Sequence, residues 1–158
     1  MTKTIKLSEE KARELYKTAT KEFKQLLEEN FDKSVLNPNI IDRVEDFDSI
    51  LEILEIEDYQ SPYKNPKTKE QKSINALDKL FLIAKVYNEG WIPNWKNSSE
   101  YKWFPYKYFS GGVFVLCSIV WYLCLYSPSG VHLKNKELCE DLIKKFRDIL
   151  EDYWMNKE

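Results

Sequence analysis

From Val113 to Tyr126 the chain is apolar at every position except Ser118. Taken with a period of two, both faces of this run are apolar, so both have to be covered. The run is rich in β-branched and aromatic residues, which favours buried strand. It is shorter than the roughly 18 apolar residues that a membrane-spanning helix needs. Ser110-Gly111-Gly112 before it and Ser127-Pro128-Ser129-Gly130 after it read as turns. The run therefore reads as one long strand, or as Val113–Ser118 followed by Ile119–Tyr126. Ahead of it, Tyr101–Phe109 is an aromatic-rich strand that Pro105 confines to an edge or a bulge. Val131-His132-Leu133 follows as a short strand.

Helical spacing governs the rest. Ser8 stands where an N-cap belongs, with Glu9 and Glu10 in the first turn. Ala12, Leu15, Tyr16, Ala19, Phe23, Leu26 and Leu27 mark the face of one helix. Phe47, Ile50, Leu51 and Leu54 mark a short second helix after Asp46. A third runs from about Thr68 to Glu89, with Gly90 as its stop. A last helix starts near Asn135, with Leu138, Leu142, Phe146, Ile149, Leu150 and Tyr153 as its stripe. The expected fold is α+β. It has a small antiparallel sheet of three to four strands, about 101–133, packed on helices, and an N-terminal helical region. The expected organisation is an acidic helical region at 1–57, a linker at 58–67 (DYQSPYKNPK) and an α-β-β-β-α aromatic-rich domain at 68–158.

Charge is unevenly distributed. The 24 Lys+Arg against 26 Asp+Glu give −2, which argues against a globally basic nucleic-acid coat. Residues 1–60 carry 9 basic and 15 acidic side chains, and residues 61–110 carry 9 and 4. The aromatics gather where the basic zone lies, with four of the five tryptophans between 87 and 128. Overlap of rings and positive charge suits a surface that stacks bases and tolerates phosphate. The candidate ligand-binding set is Trp91, Trp95, Lys96, Tyr101, Lys102, Trp103, Tyr106, Lys107, Tyr108, Trp121 and His132, the lysines facing phosphate oxygens. The bland reading of the same rings, as core, a dimer interface or cover for the sheet, comes first, because buried aromatics are the usual carriers of core energy. In a regular strand Tyr101, Trp103 and Lys107 share one face, and Lys102, Phe104, Tyr106 and Tyr108 the other.

Catalytic signatures are missing. His132 is the single histidine, and no motif brings a nucleophile and a carboxylate to it. There is no Walker loop, G-x-G-x-x-G or H-E-x-x-H, and four glycines leave little for a phosphate cradle. The acidic cluster Asp42–Asp48 lacks the glycine and spacing of a calcium loop and reads as a helix cap. Neither catalytic residues nor a metal or other cofactor are expected. Only 3 of the 24 basic residues are arginine, which disfavours bidentate base reading. The N-terminus lacks an apolar signal segment, so Cys117, Cys124 and Cys139 are expected as reduced thiols in the cytoplasm.

Several stretches carry a likeness. They are KARELYKTA with LLEENF, IIDRVEDFDSILEIL, LFLIAKVYNEGWIPNWKNSSEYKWFPY and SGVHLKNKELCEDLIKKFRDIL. With Asn88-Glu89-Gly90-Trp91-Ile92-Pro93-Asn94-Trp95 as its most specific part, the chain resembles an uncharacterised family common in Bacteroides-type phages and mobile elements. The resemblance implies a phage accessory protein in the bacterial host cytoplasm, a setting in which small proteins counter host defence and some sequester nucleotide signals. Binding of a nucleotide-like molecule without chemistry is the expected function. The alternative is a protein–protein module, as a dimer or on a host target. Single-stranded nucleic acid is a further candidate partner, and a membrane is not expected.

Overall fold

The computed structural model describes residues 6–97, 99–110, 113–121 and 131–154, with backbone alone for 109–110 and 113–121. The chain divides into two compact units, 1–43 and 44–158.

In the first unit, α1 (Glu9–Thr18) begins where Ser8 accepts a hydrogen bond from the Lys11 N–H at 3.3 Å. The single helix expected here is two. Ala19 turns to an extended backbone with ψ 149°, and Thr20 restarts the chain as the cap of α2 (Lys21–Glu28). The Thr20 hydroxyl accepts from Phe23 N–H, an alternative to continued helix that threonine offers readily. The break redirects the apolar face. Ala12 and Leu27 stay buried with Leu36 of α3 (Lys33–Leu36), and Leu7, Leu15, Tyr16 and Phe31 pack on them. Phe23 and Leu26 are left exposed. α4 (Ile40–Arg43) closes the unit.

The second unit opens with α5 (Phe47–Ile53), set by a capping box. Ser49 N–H donates to Asp46 Oδ1 at 2.9 Å, and Asp46 N–H donates to Ser49 Oγ at 2.9 Å. The acidic cluster thus contributes a helix start. The proline-bearing stretch 58–67 is fastened to α6 (Lys69–Asn88). Tyr59 donates to Asp78 at 2.8 Å, and the Asn75 amide exchanges two 2.8 Å bonds with the Tyr63 backbone. α6 stops in two left-handed residues, Glu89 at φ 47° and Gly90 at φ 86°.

β1 (Lys102–Ser110) and β2 (Val113–Trp121) form an antiparallel ladder running from Lys102 opposite Trp121 to Ser110 opposite Val113. The two residues joining them, Gly111 and Gly112, lie outside the described residues. So do 122–130, and with them the end of the expected Ile119–Tyr126 strand and the Ser127–Gly130 turn. Pro105 fits this geometry. Trp103 exchanges both backbone bonds with Leu133, at 3.1 and 2.7 Å, on the side away from β2. Two residues on, the Pro105 nitrogen faces that same outer side, so the ladder loses no donor.

α7 (Lys136–Lys145), capped by Asn135, packs on both strands, and α8 (Arg147–Tyr153) packs along α6. The expected last helix breaks at Phe146, whose buried ring meets Tyr87 edge to face. Tyr87, wholly buried on α6, donates to Asp141 of α7 at 2.6 Å. Burial and that acceptor push its phenol far above the usual tyrosine range.

The fold expectation needs correcting. The chain is mostly helical, and the sheet of three to four strands packed on helices is not what folds. Among the described residues the strand content is one two-stranded ladder. Residues 131–133 add a bridge at Leu133 in place of a strand. Beyond the Trp103–Leu133 pair the register meets Pro105, which has no N–H to offer Val131, and Asn135, which already caps α7. The Asn88 amide donates to the His132 carbonyl at 2.7 Å and accepts from Lys134 N–H at 3.1 Å. These groups face away from β1, so Asn88 holds the segment to α6 from the side opposite Trp103.

Candidate functional site

The residues singled out from sequence converge on the start of β1 and the loop before it. The described residues of 91–101 form a loop folded by its own polar side chains. Asn94 Oδ1 accepts from Lys96 N–H and Asn97 Oδ1 from Ser99 N–H, each at 3.0 Å, two Asx-type turns in succession. Glu100 closes the loop, accepting from Asn94 N–H at 2.7 Å. That bond first, then the Lys102 ammonium and the Trp91 indole, hold the Glu100 carboxyl below its usual range against the opposing effect of desolvation.

Lys102, the first residue of β1, is what this loop folds around and is only 1% exposed. Its ammonium donates to the carbonyls of Asn97 and Glu100 at 3.1 and 3.2 Å, and pairs with Glu100 Oε2 at 3.1 Å. It also stands over the Trp95 ring, 5.5 Å from its centre. Its charge is directed inward, to the loop, and away from any external phosphate.

From Trp95 a series of rings runs along one face of β1. Trp95 meets the buried His132 ring edge-on at 4.9 Å, and His132 meets buried Phe104 at 5.8 Å. Phe104 meets Tyr106 at 6.4 Å, and Tyr106 lies nearly parallel to Tyr108 at 6.3 Å and 19°. The series is buried in the middle and open at both ends. Trp95 is 54% exposed, Tyr106 39% and Tyr108 42%. Of the two strand faces, the structure thus joins the one carrying Lys102, Phe104, Tyr106 and Tyr108 to Trp95 and His132.

The remaining candidates lie apart from that series. Trp103, half-buried, and Lys107 alternate to the opposite face of β1, where burial lowers the Lys107 ammonium below its usual range. Tyr101 is exposed just before the strand, Lys96 is exposed beside Trp95, and Trp91 is half-buried. Trp121 pairs with Lys102 across the ladder; its side chain lies outside the described residues. Cys139 is a buried thiol, whereas Cys124 and the Cys117 side chain lie outside the described residues.

Sequence reasoning overlooked Asn88, Asn94, Asn97 and Glu100, which position the site. The spacing Asn94-x-Lys96 and Asn97-x-Ser99 was a readable turn signal. A separate cleft of about 370 Å³ lies among 58–67, α6 and α8, with Lys72, Lys79 and Asp152 at its rim and Ala76 and Ile149 as apolar lining. None of the sequence candidates lines it. No helix among the described residues is long and apolar enough to cross a membrane.

No family model, curated protein or solved structure matches the chain.

Proposed function

We propose that the chain is a binding protein without chemistry of its own, and that Trp95, Tyr106 and Tyr108 offer ring faces to a planar, nucleotide-like ligand. The observation that carries this reading is the series of rings, braced by Phe104 and His132 and ending in exposed tyrosines nearly parallel to one another. Rigid exposed rings stack on a base with little loss of freedom, each stack contributing about 1–3 kcal/mol. Lys96 supplies the nearest exposed cation in sequence, and the net positive charge of 61–110 favours an anionic ligand. In the phage setting that the sequence resembles, such a protein would act in the host cytoplasm by sequestering a signalling nucleotide.

The test is a thermal-shift screen of the full chain against nucleotides, cyclic dinucleotides and ADP-ribose derivatives, with each hit recovered and chromatographed. Saturation to 100 times the dissociation constant adds about 2.7 kcal/mol of stability. A shift with unaltered ligand, lost in Tyr106→Ala and Trp95→Ala, supports the reading. Altered ligand makes the protein an enzyme and overturns it.

A second reading, a protein partner, is favoured by Ile92 and Tyr101, both exposed on the loop that carries Trp95. Aromatic anchors of this kind concentrate binding energy at protein interfaces. A screen with no shift, together with Tyr101→Ala reducing capture of a host protein, would favour it.

A further inference from the structure

We infer that the outward stripe of α6 is a self-association surface that takes a second copy of this chain, packed antiparallel across a two-fold axis. The stripe is separate from the ring series, and its test does not depend on the ligand.

Residues 69–73 open α6 with a polar stretch, and over 74–87 apolar residues fall on every side of the helix, the pattern of a segment covered on most of its circumference. α5 and α8 pack against it. One stripe remains outward. Glu70, Ile74, Phe81 and Lys85 are exposed along it, with Leu77 and Asp78 half-buried at its middle. Ile74 is 45% exposed and Phe81 47%, large apolar side chains one above the other at a spacing of two turns.

The order of residues on this stripe identifies its partner. Ile74 and Phe81 stand equally far on either side of the point between Leu77 and Asp78, and so do Glu70 and Lys85. A second copy of α6, antiparallel about a two-fold axis through that point, brings Ile74 level with Phe81 of the second copy. It also brings Glu70 level with Lys85 of the second copy. The symmetry repeats each contact, so two apolar pairs are flanked by two opposite-charge pairs. A parallel arrangement would set Glu70 against Glu70 and Lys85 against Lys85, which like-charge repulsion disfavours. Asp78 stands beside its own image across the axis, with Oδ2 held by the Tyr59 hydroxyl at 2.8 Å, and this like-charge approach limits the strength of the association. A single helix stripe buries less than the roughly 1,200 Å² at the low end of standard interfaces. The association it supports is accordingly weak, with a dissociation constant of about 10 µM to 1 mM.

Sedimentation equilibrium of the full chain from about 10 µM to about 2 mM, a range that spans the expected dissociation constant, tests this, with thermal melts showing that each variant is folded. The expected result is a monomer–dimer equilibrium. Phe81→Asp weakens it by tenfold or more. Glu70→Lys weakens it by about threefold to tenfold, and adding Lys85→Glu restores it. The two surface charge variants keep the test decisive if Phe81→Asp fails to fold. A chain that stays monomeric at every concentration overturns the proposal. So does a dimer that Phe81→Asp leaves unchanged, or one that the paired charge reversal fails to recover.

Discussion

The Lys102 ammonium lies 5.5 Å above the centre of the Trp95 ring while the same nitrogen is bound by the carbonyls of Asn97 and Glu100. A cation in that position fixes both the loop and the ring that the loop presents. Lys102→Met should therefore destabilise the fold by about 2 kcal/mol, the order expected when a buried donor set is removed from its acceptors. Urea unfolding measures it. Any loss of ligand affinity in this variant should follow the displacement of Trp95, and Trp95→Ala should not add to it.

Asn88 makes a second prediction. Its amide uses both a donor and an acceptor on the 132–134 backbone, so neither half can be replaced alone. Asn88→Asp keeps an acceptor for Lys134 N–H but offers nothing to the His132 carbonyl. It should cost about 1–3 kcal/mol, and Asn88→Ala about as much or more. Because the His132 ring sits between Trp95 and Phe104, loss of the Asn88 bonds should also show as a change in tryptophan fluorescence.

Stability at high pH should report Tyr59. Burial and the Asp78 acceptor raise its phenol from 10.0 to about 12. The folded value is the higher one, so the stabilising contribution is complete below pH 10 and is lost as pH rises towards about 12. Tyr59→Phe should flatten the fall in unfolding free energy across that window. Asp46 works in the opposite direction. The Ser49 backbone N–H lowers its carboxyl below 3.8, so its contribution is present above that value and is lost as pH falls further. Asp46→Ala should remove about 1 kcal/mol at neutral pH through loss of the cap.

Glu55 holds a left-handed backbone at φ 56° without being glycine. Glu55→Gly should raise stability by about 0.5–1 kcal/mol, since a side chain in that region is strained. A lower melting temperature in the variant would show that the strain is offset by contacts of the Glu55 side chain.

The sequence disclosed the starts and stops of elements better than their assembly. Ser8, Asp46, Thr68 and Asn135 each act through a short-range bond to a residue three positions on, so neighbouring letters suffice to recognise them. The helix breaks at Ala19 and Phe146 escaped notice because apolar periodicity continues through both. What decides them is the direction each helix must take to bury its own face. The sheet was overestimated for a related reason. Val131-His132-Leu133 has strand composition, but its pairing with β1 ends at Leu133, because the next partner in register, Pro105, has no N–H for Val131. In the candidate site, the gathering of rings near β1 was visible, whereas the inward turn of Lys102 was not. A lysine's reach to its own loop leaves no mark on its spacing.

Pro105 has a consequence beyond its fit to the ladder. A strand from another molecule approaching the outer side of β1 would find Leu133 already engaged at Trp103 and no N–H at Pro105. The pyrrolidine ring would also stand in the path of the incoming backbone. Edge-to-edge templating of this aromatic strand is thereby interrupted within its first four residues, so it resists seeding fibrils.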